Sequence, residues 1–148
     1  MRLLIQRVSK AKVTVGGNIS GEIGKGLLVF LGIGEEDTDA ICAEMAGKTS
    51  RLRIFEDENG KMNLDVDQVS GSVLVISQFT LFADTRKGNR PNFTSAAKPE
   101  KAIKLYEKFI SDLKQLLGEN RVSEGVFGAM MEVELINDGP VTIWVDSC

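Results

Sequence analysis

Apolar residues along this chain recur with two different periods, and the switches between them divide it into elements. Met1–Val8 is apolar-rich, and Lys12-Val13-Thr14-Val15 alternates polar with apolar as a half-buried strand does. Gly16-Gly17-Asn18 makes a tight turn of hairpin type, Ile19–Ile23 returns, Gly24-Lys25-Gly26 turns again, and Leu27–Leu31 is a short buried strand. From Thr38 to Leu52 the period changes: Ile41, Met45 and Leu52, padded by Ala43 and Ala46, fall at helical spacing. Ile54-Phe55 is extended, Glu58-Asn59-Gly60-Lys61 is a turn, and Met62–Val66 alternates again. Ser72–Ala83 is the most β-rich run, followed by a polar loop over residues 84–97 that holds Gly88 and Pro91. A second helix is predicted from Pro99, a residue suited to a first helical turn, to Leu117, where Gly118 stops it. Its apolar stripe is Ile103, Tyr106, Ile110, Leu113 and Leu117. Val126–Ile136 and Val141–Val145 read as strands on either side of Gly139-Pro140. The pattern predicts about eight strands and two helices, an α+β fold in which antiparallel β-sheets form a barrel-like layer covered by two α-helices. With no repeat, low-complexity stretch or linker, residues 1–148 read as a single domain.

Composition narrows the chemistry. At 148 residues, 43% hydrophobic and 26% charged, the chain reads as a soluble globular protein. A chain of this size buries roughly 68–70% of its unfolded surface. No apolar run approaches the ~20 residues of a membrane span, and the N-terminus reads as a strand, not a signal peptide. Cys42 and Cys148 have neither metal nor redox spacing, so both are expected as free thiols in a reducing cytoplasm. The absence of histidine removes Ser-His-Asp and Cys-His catalysis and most zinc chemistry. Without a GxGxxG run, a P-loop or a metal-ligand cluster, neither cofactor nor metal is expected. The net charge of −3 argues against a general nucleic-acid binder, yet the charge is uneven. Arg86, Lys87, Arg90, Lys98, Lys101 and Lys104 are opposed over that stretch only by Asp84 and Glu100. Such a face suits a small phosphate-bearing partner or one end of an RNA.

Two short segments stand out. Asn137-Asp138-Gly139-Pro140-Val141-Thr142 sets a Gly-Pro pair between β-like runs, where proline cannot donate to a ladder. Read locally, it is a β-turn with proline at the second position, or a corner with a cis peptide. Ser77-Gln78-Phe79-Thr80-Leu81-Phe82-Ala83 places two hydroxyls and an amide among apolar side chains at a strand end. Taken together the two segments resemble the signatures of the D-aminoacyl-tRNA deacylase family. Further segments agree in the same order: Met1-Arg2 and Gln6-Arg7-Val8 with Val13 to Val15, Arg86-Lys87-Gly88-Asn89-Arg90-Pro91, and Gly125-Val126-Phe127-Gly128-Ala129-Met130-Met131. The resemblance implies a homodimer that hydrolyses the ester joining a D-amino acid to the terminal ribose of tRNA. It also implies that Gly139-Pro140 is cis and enters the active site of the partner subunit.

The residues suit that chemistry. An aminoacyl ester is already activated, and backbone N–H groups aimed at the developing oxyanion supply much of the barrier reduction. The expected catalytic segment is Ser77, Gln78, Phe79 and Thr80, with the Phe79 and Thr80 amides as oxyanion donors and Ser77 and Gln78 holding ribose or carbonyl. Thr80 is the obvious nucleophile, but no base adjoins it in sequence. The 2′-hydroxyl of the terminal adenosine is the better candidate to activate water, and the family resemblance points the same way. Carbonyls of Gly139 and Pro140 crowding the substrate Cα would reject L side chains, admit many D side chains and let glycyl-tRNA through. Arg7 is expected to orient that corner, and Phe127 and Met131 to line the pocket. Arg86, Lys87 and Arg90 are expected on acceptor-end phosphates. Two alternatives stay open: a non-catalytic RNA-binding dimer module, and a different esterase or structural dimer with Gly139-Pro140 trans and buried in its own subunit.

Overall fold

The computed structural model describes residues 1–147; the expected thiol at Cys148 lies outside them. The element on which the sheet is built is β1 (Arg2–Val15), one continuous strand where the sequence predicts two. Its first half pairs antiparallel with β3 (Gly26–Gly32) and its second half with β2 (Asn18–Ile23). Along its other edge it pairs with β8 (Glu132–Asp146). The sheet continues from β3 to β6 (Ser72–Ser77) and β7 (Val122–Glu124), while β4 (Phe55–Glu56) and β5 (Met62–Leu64) form a separate small hairpin.

Two of these pairings correct the antiparallel expectation. β3–β6 and β6–β7 are parallel, so the sheet is mixed. Parallel neighbours need a long crossover, and each helix lies in one: α1 (Asp39–Ser50) between β3 and β6, α2 (Pro99–Leu117) between β6 and β7. The edges β2 and β7 then approach each other. Ser20 Oγ donates to Glu124 O (3.4 Å) and Ser123 Oγ to Glu22 O (3.2 Å), which leaves a nearly closed barrel.

Three sequence expectations shift locally. The Ser72–Ala83 run stops as a strand at Ser77 and turns into a one-turn 3-10 helix, Phe79–Phe82. Val126–Met131 is a turn, with Gly128 at φ +74°, and β8 begins only at Glu132. The short strand β7 lies just before that turn, where no strand is expected. Finally, Gly139-Pro140 does not separate two strands. Gln6 pairs with Thr142 and Val8 with Asn137, so only Arg7 faces the four residues 138–141. The corner is an excursion from one long strand, and proline is tolerated because those residues leave the ladder.

The strands divide their side chains by period two. Leu27, Val29 and Leu31 of β3 and Val73 and Val75 of β6 face one core, Leu28, Leu74 and Ile76 the other. The first core takes both helices: α1 inserts Cys42, Met45 and Ala46, and α2 inserts Leu105, Tyr106, Phe109, Ile110, Leu113 and Leu117. The α2 stripe is rotated slightly from its predicted position, since Ile103 is exposed while Leu105 and Phe109 are buried. Each fully buried side chain of this kind contributes about 1.5–3 kcal/mol. The turn from β3 into α1 is tied down by Asp37, which accepts from Gly34 N (2.7 Å) and from the buried α-amino group of Met1.

Candidate active site

Parallel strands release their chains at the same end, and ligand sites of α/β sheets form there. Here β3, β6 and β7 all do so. The segments that follow them, together with the start of α2, enclose a cavity of about 780 Å³. Leu31 and Ile33 come from the end of β3, and Ile76 to Thr80 from the end of β6. Phe127 to Met131 come from the turn after β7, and Phe93, Ala96, Ala97, Pro99 and Ala102 from the loop and first turn of α2. Its walls are mainly apolar, with Ser77, Gln78 and Thr80 as a polar strip. Among the described residues, not one lining side chain is ionisable near neutral pH.

The strip is fixed by its backbone. Gln78 N donates to Leu31 O (2.8 Å), extending the β3–β6 ladder by one residue. Beyond it the chain tightens into the 3-10 turn, with Leu81 N on Gln78 O (3.3 Å) and Ala83 N on Thr80 O (3.0 Å). The first N–H groups of such a turn have no partner within it. Among the described residues, the N–H groups of Phe79 and Thr80 have no acceptor. The Gln78 side-chain amide donates to Thr80 Oγ1. Phe79 is exposed at the rim, edge-on to Phe93 with ring centroids 5.2 Å apart.

The opposite wall is seated by Tyr106. Its hydroxyl donates to Val75 O (3.1 Å) and Gly125 O (3.4 Å), and its ring lies 5.6 Å from that of Phe127. Burial pushes the Tyr106 phenol well above its ordinary range, so it remains a neutral donor. Met131 reaches both the cavity and the second core.

The remaining expected residues lie elsewhere. Gly139 and Pro140 are exposed and joined by a cis peptide, away from the cavity of their own chain. Arg7 is buried beside them: its Nη1 donates to Ile54 O (2.7 Å), and its Nε meets both Asp138 O (3.2 Å) and Asp138 Oδ2 (3.0 Å). Asn137, at the start of the Gly-Pro segment, closes the excursion. Its Nδ2 donates to Arg7 O (2.9 Å) and Val141 O (3.1 Å).

Arg86, Lys87 and Arg90 sit on an exposed loop closed by the Asp84–Asn92 bridge. The fork of Arg86 is taken by Asp84, with Nε on Oδ1 (2.9 Å) and Nη2 on Oδ2 (2.7 Å), which holds the carboxyl of Asp84 far below the usual range. Sequence reading missed Phe93, Ala96, Ala97, Pro99 and Ala102 as lining residues. The small side chains clustered just before and within the first turn of α2 are the signal that marks a wall there.

The cavity is of ligand size, polar along one strip and, among the described residues, lined by no ionisable side chain. Comparison with known proteins gives the chain its family. Residues 4–146 match the D-Tyr-tRNA(Tyr) deacylase family, and the chain belongs to it. The D-aminoacyl-tRNA deacylase of Akkermansia muciniphila is 60% identical over 99% of this chain and 97% of its own length. That of Thermus aquaticus is 54% identical over 99% of this chain and 95% of its own. Among solved structures, a c-Myc DNA Unwinding Element Binding Protein superposes with a TM-score of 0.94 at 41% identity, covering 99% of this chain and 98% of its own. A structure described as a probable eukaryotic D-amino acid tRNA deacylase shares the fold at 17% identity, TM-score 0.84, covering 97% of both chains.

Proposed function

We propose that this chain removes D-amino acids from tRNA by hydrolysing the ester to the terminal ribose. It does so as a homodimer whose Gly139-Pro140 corner gates the cavity of the partner subunit. The observation that carries this reading is the uncharged cavity bordered by two backbone N–H groups without acceptors, those of Phe79 and Thr80. In it the amides bind the carbonyl oxygen as charge develops, and Ser77 and Gln78 hold the ribose or the carbonyl. The terminal 2′-hydroxyl assists the attacking water, because no lining side chain can.

The dimer reading rests on position. Arg7, which holds the corner, pairs with Leu27, while the cavity begins at Leu31. Four residue steps along the strand separate them, about 13 Å, so the corner is directed to a second copy. On β8, which pairs only with β1 among the described residues, Ile136 and Trp144 are 52% and 49% exposed. Glycine at 139 also has no cause within its own chain. Its φ is not positive, and an added Cβ would meet nothing nearer than the Asn137 side chain at 3.4 Å. A partner-bound substrate that passes close to the backbone supplies the cause. L side chains collide there, D side chains point away, and glycine meets no obstacle.

Deacylation of D-tyrosyl-, L-tyrosyl- and glycyl-tRNA tests the proposal. Fast hydrolysis of the D-form, resistance of the L-form and measurable hydrolysis of the glycyl form are expected. Equal rates on the D- and L-forms overturn the gate. No hydrolysis of any of them favours the non-catalytic RNA-binding dimer module.

A further inference from the structure

Arg2 has no part in the chemistry described above, yet its side chain joins the candidate oxyanion turn to the rest of the sheet. It opens β1, between Gly32 of β3 and Asp146 of β8. Its Nη1 donates to Leu81 O in the 3-10 turn (3.1 Å), and its Nε to Asp146 Oδ2 (3.1 Å). The guanidinium plane also lies 4.4 Å from the centroid of the Phe82 ring and 5.9 Å from that of Trp144. One flat cation therefore touches the turn twice, by a hydrogen bond to Leu81 and by stacking on Phe82.

The far side of the turn has no slack. A Cβ on Gly32 would lie 3.0 Å from Gln78 O and from Leu81 Cβ, and one on Gly34 would lie 2.7 Å from the Phe82 ring. The turn is thus seated against bare backbone of β3 on one side and closed by Arg2 on the other. The direction of the Phe79 and Thr80 N–H groups is set by how that turn is seated. In oxyanion stabilisation a small misdirection is expensive, since misplacement by about 1 Å costs on the order of 10²-fold in rate.

We propose that Arg2 is a positioning residue that clamps the Gln78–Phe82 turn and so aims its two free amides at the ester carbonyl. The inference rests on the deacylase reading above. A lysine retains the charge beside Asp146 but has no planar fork to stack on Phe82 while bonding Leu81.

Arg2→Lys and Arg2→Gln are compared with the wild type in three measurements. These are kcat on D-tyrosyl-tRNA, the Kd of a non-hydrolysable amide-linked D-tyrosyl-adenosine, and hydrogen exchange at the Leu81 and Ala83 amides. Both variants are expected to lose kcat by about 10²-fold, the order of one oxyanion donor, with Kd within about threefold. Amide exchange in the turn is expected to quicken by about tenfold or more. Preserved kcat and unchanged exchange overturn the clamp, as does a loss of kcat matched by an equal loss of binding. A wild type that hydrolyses no aminoacyl-tRNA overturns the deacylase reading instead, and exchange alone then decides the clamp.

Discussion

Thr80 carries a hydroxyl on the wall of the cavity, and its surroundings argue against its use as a nucleophile. Its oxygen already accepts from the Gln78 amide, and no lining side chain of the cavity can take its proton. Three titratable groups on neighbouring elements are held away from neutrality. Asp84 is held far below the carboxylate range by Arg86, so it stays ionised. Burial pushes the Tyr106 phenol up and the Cys42 thiol up to about 12, so both stay protonated. For Cys42 the sign is clear. Its folded value is raised, so any stability it contributes is complete below the ordinary thiol value near 9 and declines only as pH rises from there towards 12. The pH profile of kcat is therefore expected to rise smoothly with pH and show no bell between about pH 5.5 and 9. A bell with two breakpoints inside that window would reveal a protein acid–base pair that the cavity lacks.

At the scale of elements, the cavity is bordered by interruptions of regular structure, a strand that tightens into a 3-10 turn and a turn after β7, and a third interruption, the excursion in β8, carries the proposed gate. The excursion is held by Arg7 and Asn137, and Arg7 is the single β1 residue that faces it. Arg7→Lys keeps a buried cation but loses the fork that reaches Ile54 and Asp138 together. The loss of a charge-assisted hydrogen bond, about 1.5–3 kcal/mol, leaves the corner loosely aimed. Selectivity for D- over L-tyrosyl-tRNA is expected to fall by roughly tenfold or more, with the fold preserved by circular dichroism. Unchanged selectivity would show that Arg7 is only core packing.

These interruptions are also where sequence and structure part. Period and punctuation located α1, α2 and the early strands: α2 and β1 carry periodic apolar faces, β3 is a short run buried on both faces, and Thr38, Pro99 and Gly118 mark the helix ends. Ser72–Ala83 read as one strand because the turn is built from β-forming residues. Only the loss of the β7 partner beyond Glu124, and the seat offered by Gly32 and Gly34, end the ladder there. The motif residues Ser77 to Thr80, Phe127 and Met131 were legible and do meet at one cavity. Phe93 was not, since apolar lining looks the same in sequence as apolar core; the small residues around the start of α2 left a signal that gained meaning only beside the cavity.

Over the whole molecule, the cavity and the level of the Gly139-Pro140 corner lie at opposite ends of β3, so in the proposed dimer each copy offers a cavity at one and a gate at the other. Under the proposed function the protein orients and rejects, and the chemistry is left to water and the RNA. The most direct test is single-turnover hydrolysis of D-tyrosyl-tRNA ending in adenosine or in 2′-deoxyadenosine, with wild type and with Thr80→Ala. Thr80→Ala is expected to stay within about tenfold of wild type, whereas removal of the 2′-hydroxyl costs about 10²–10⁴-fold, the usual span of general acid–base assistance. A folded Thr80→Ala that is inactive, while the 2′-deoxy substrate reacts at the normal rate, would contradict the account and place the nucleophile on the protein.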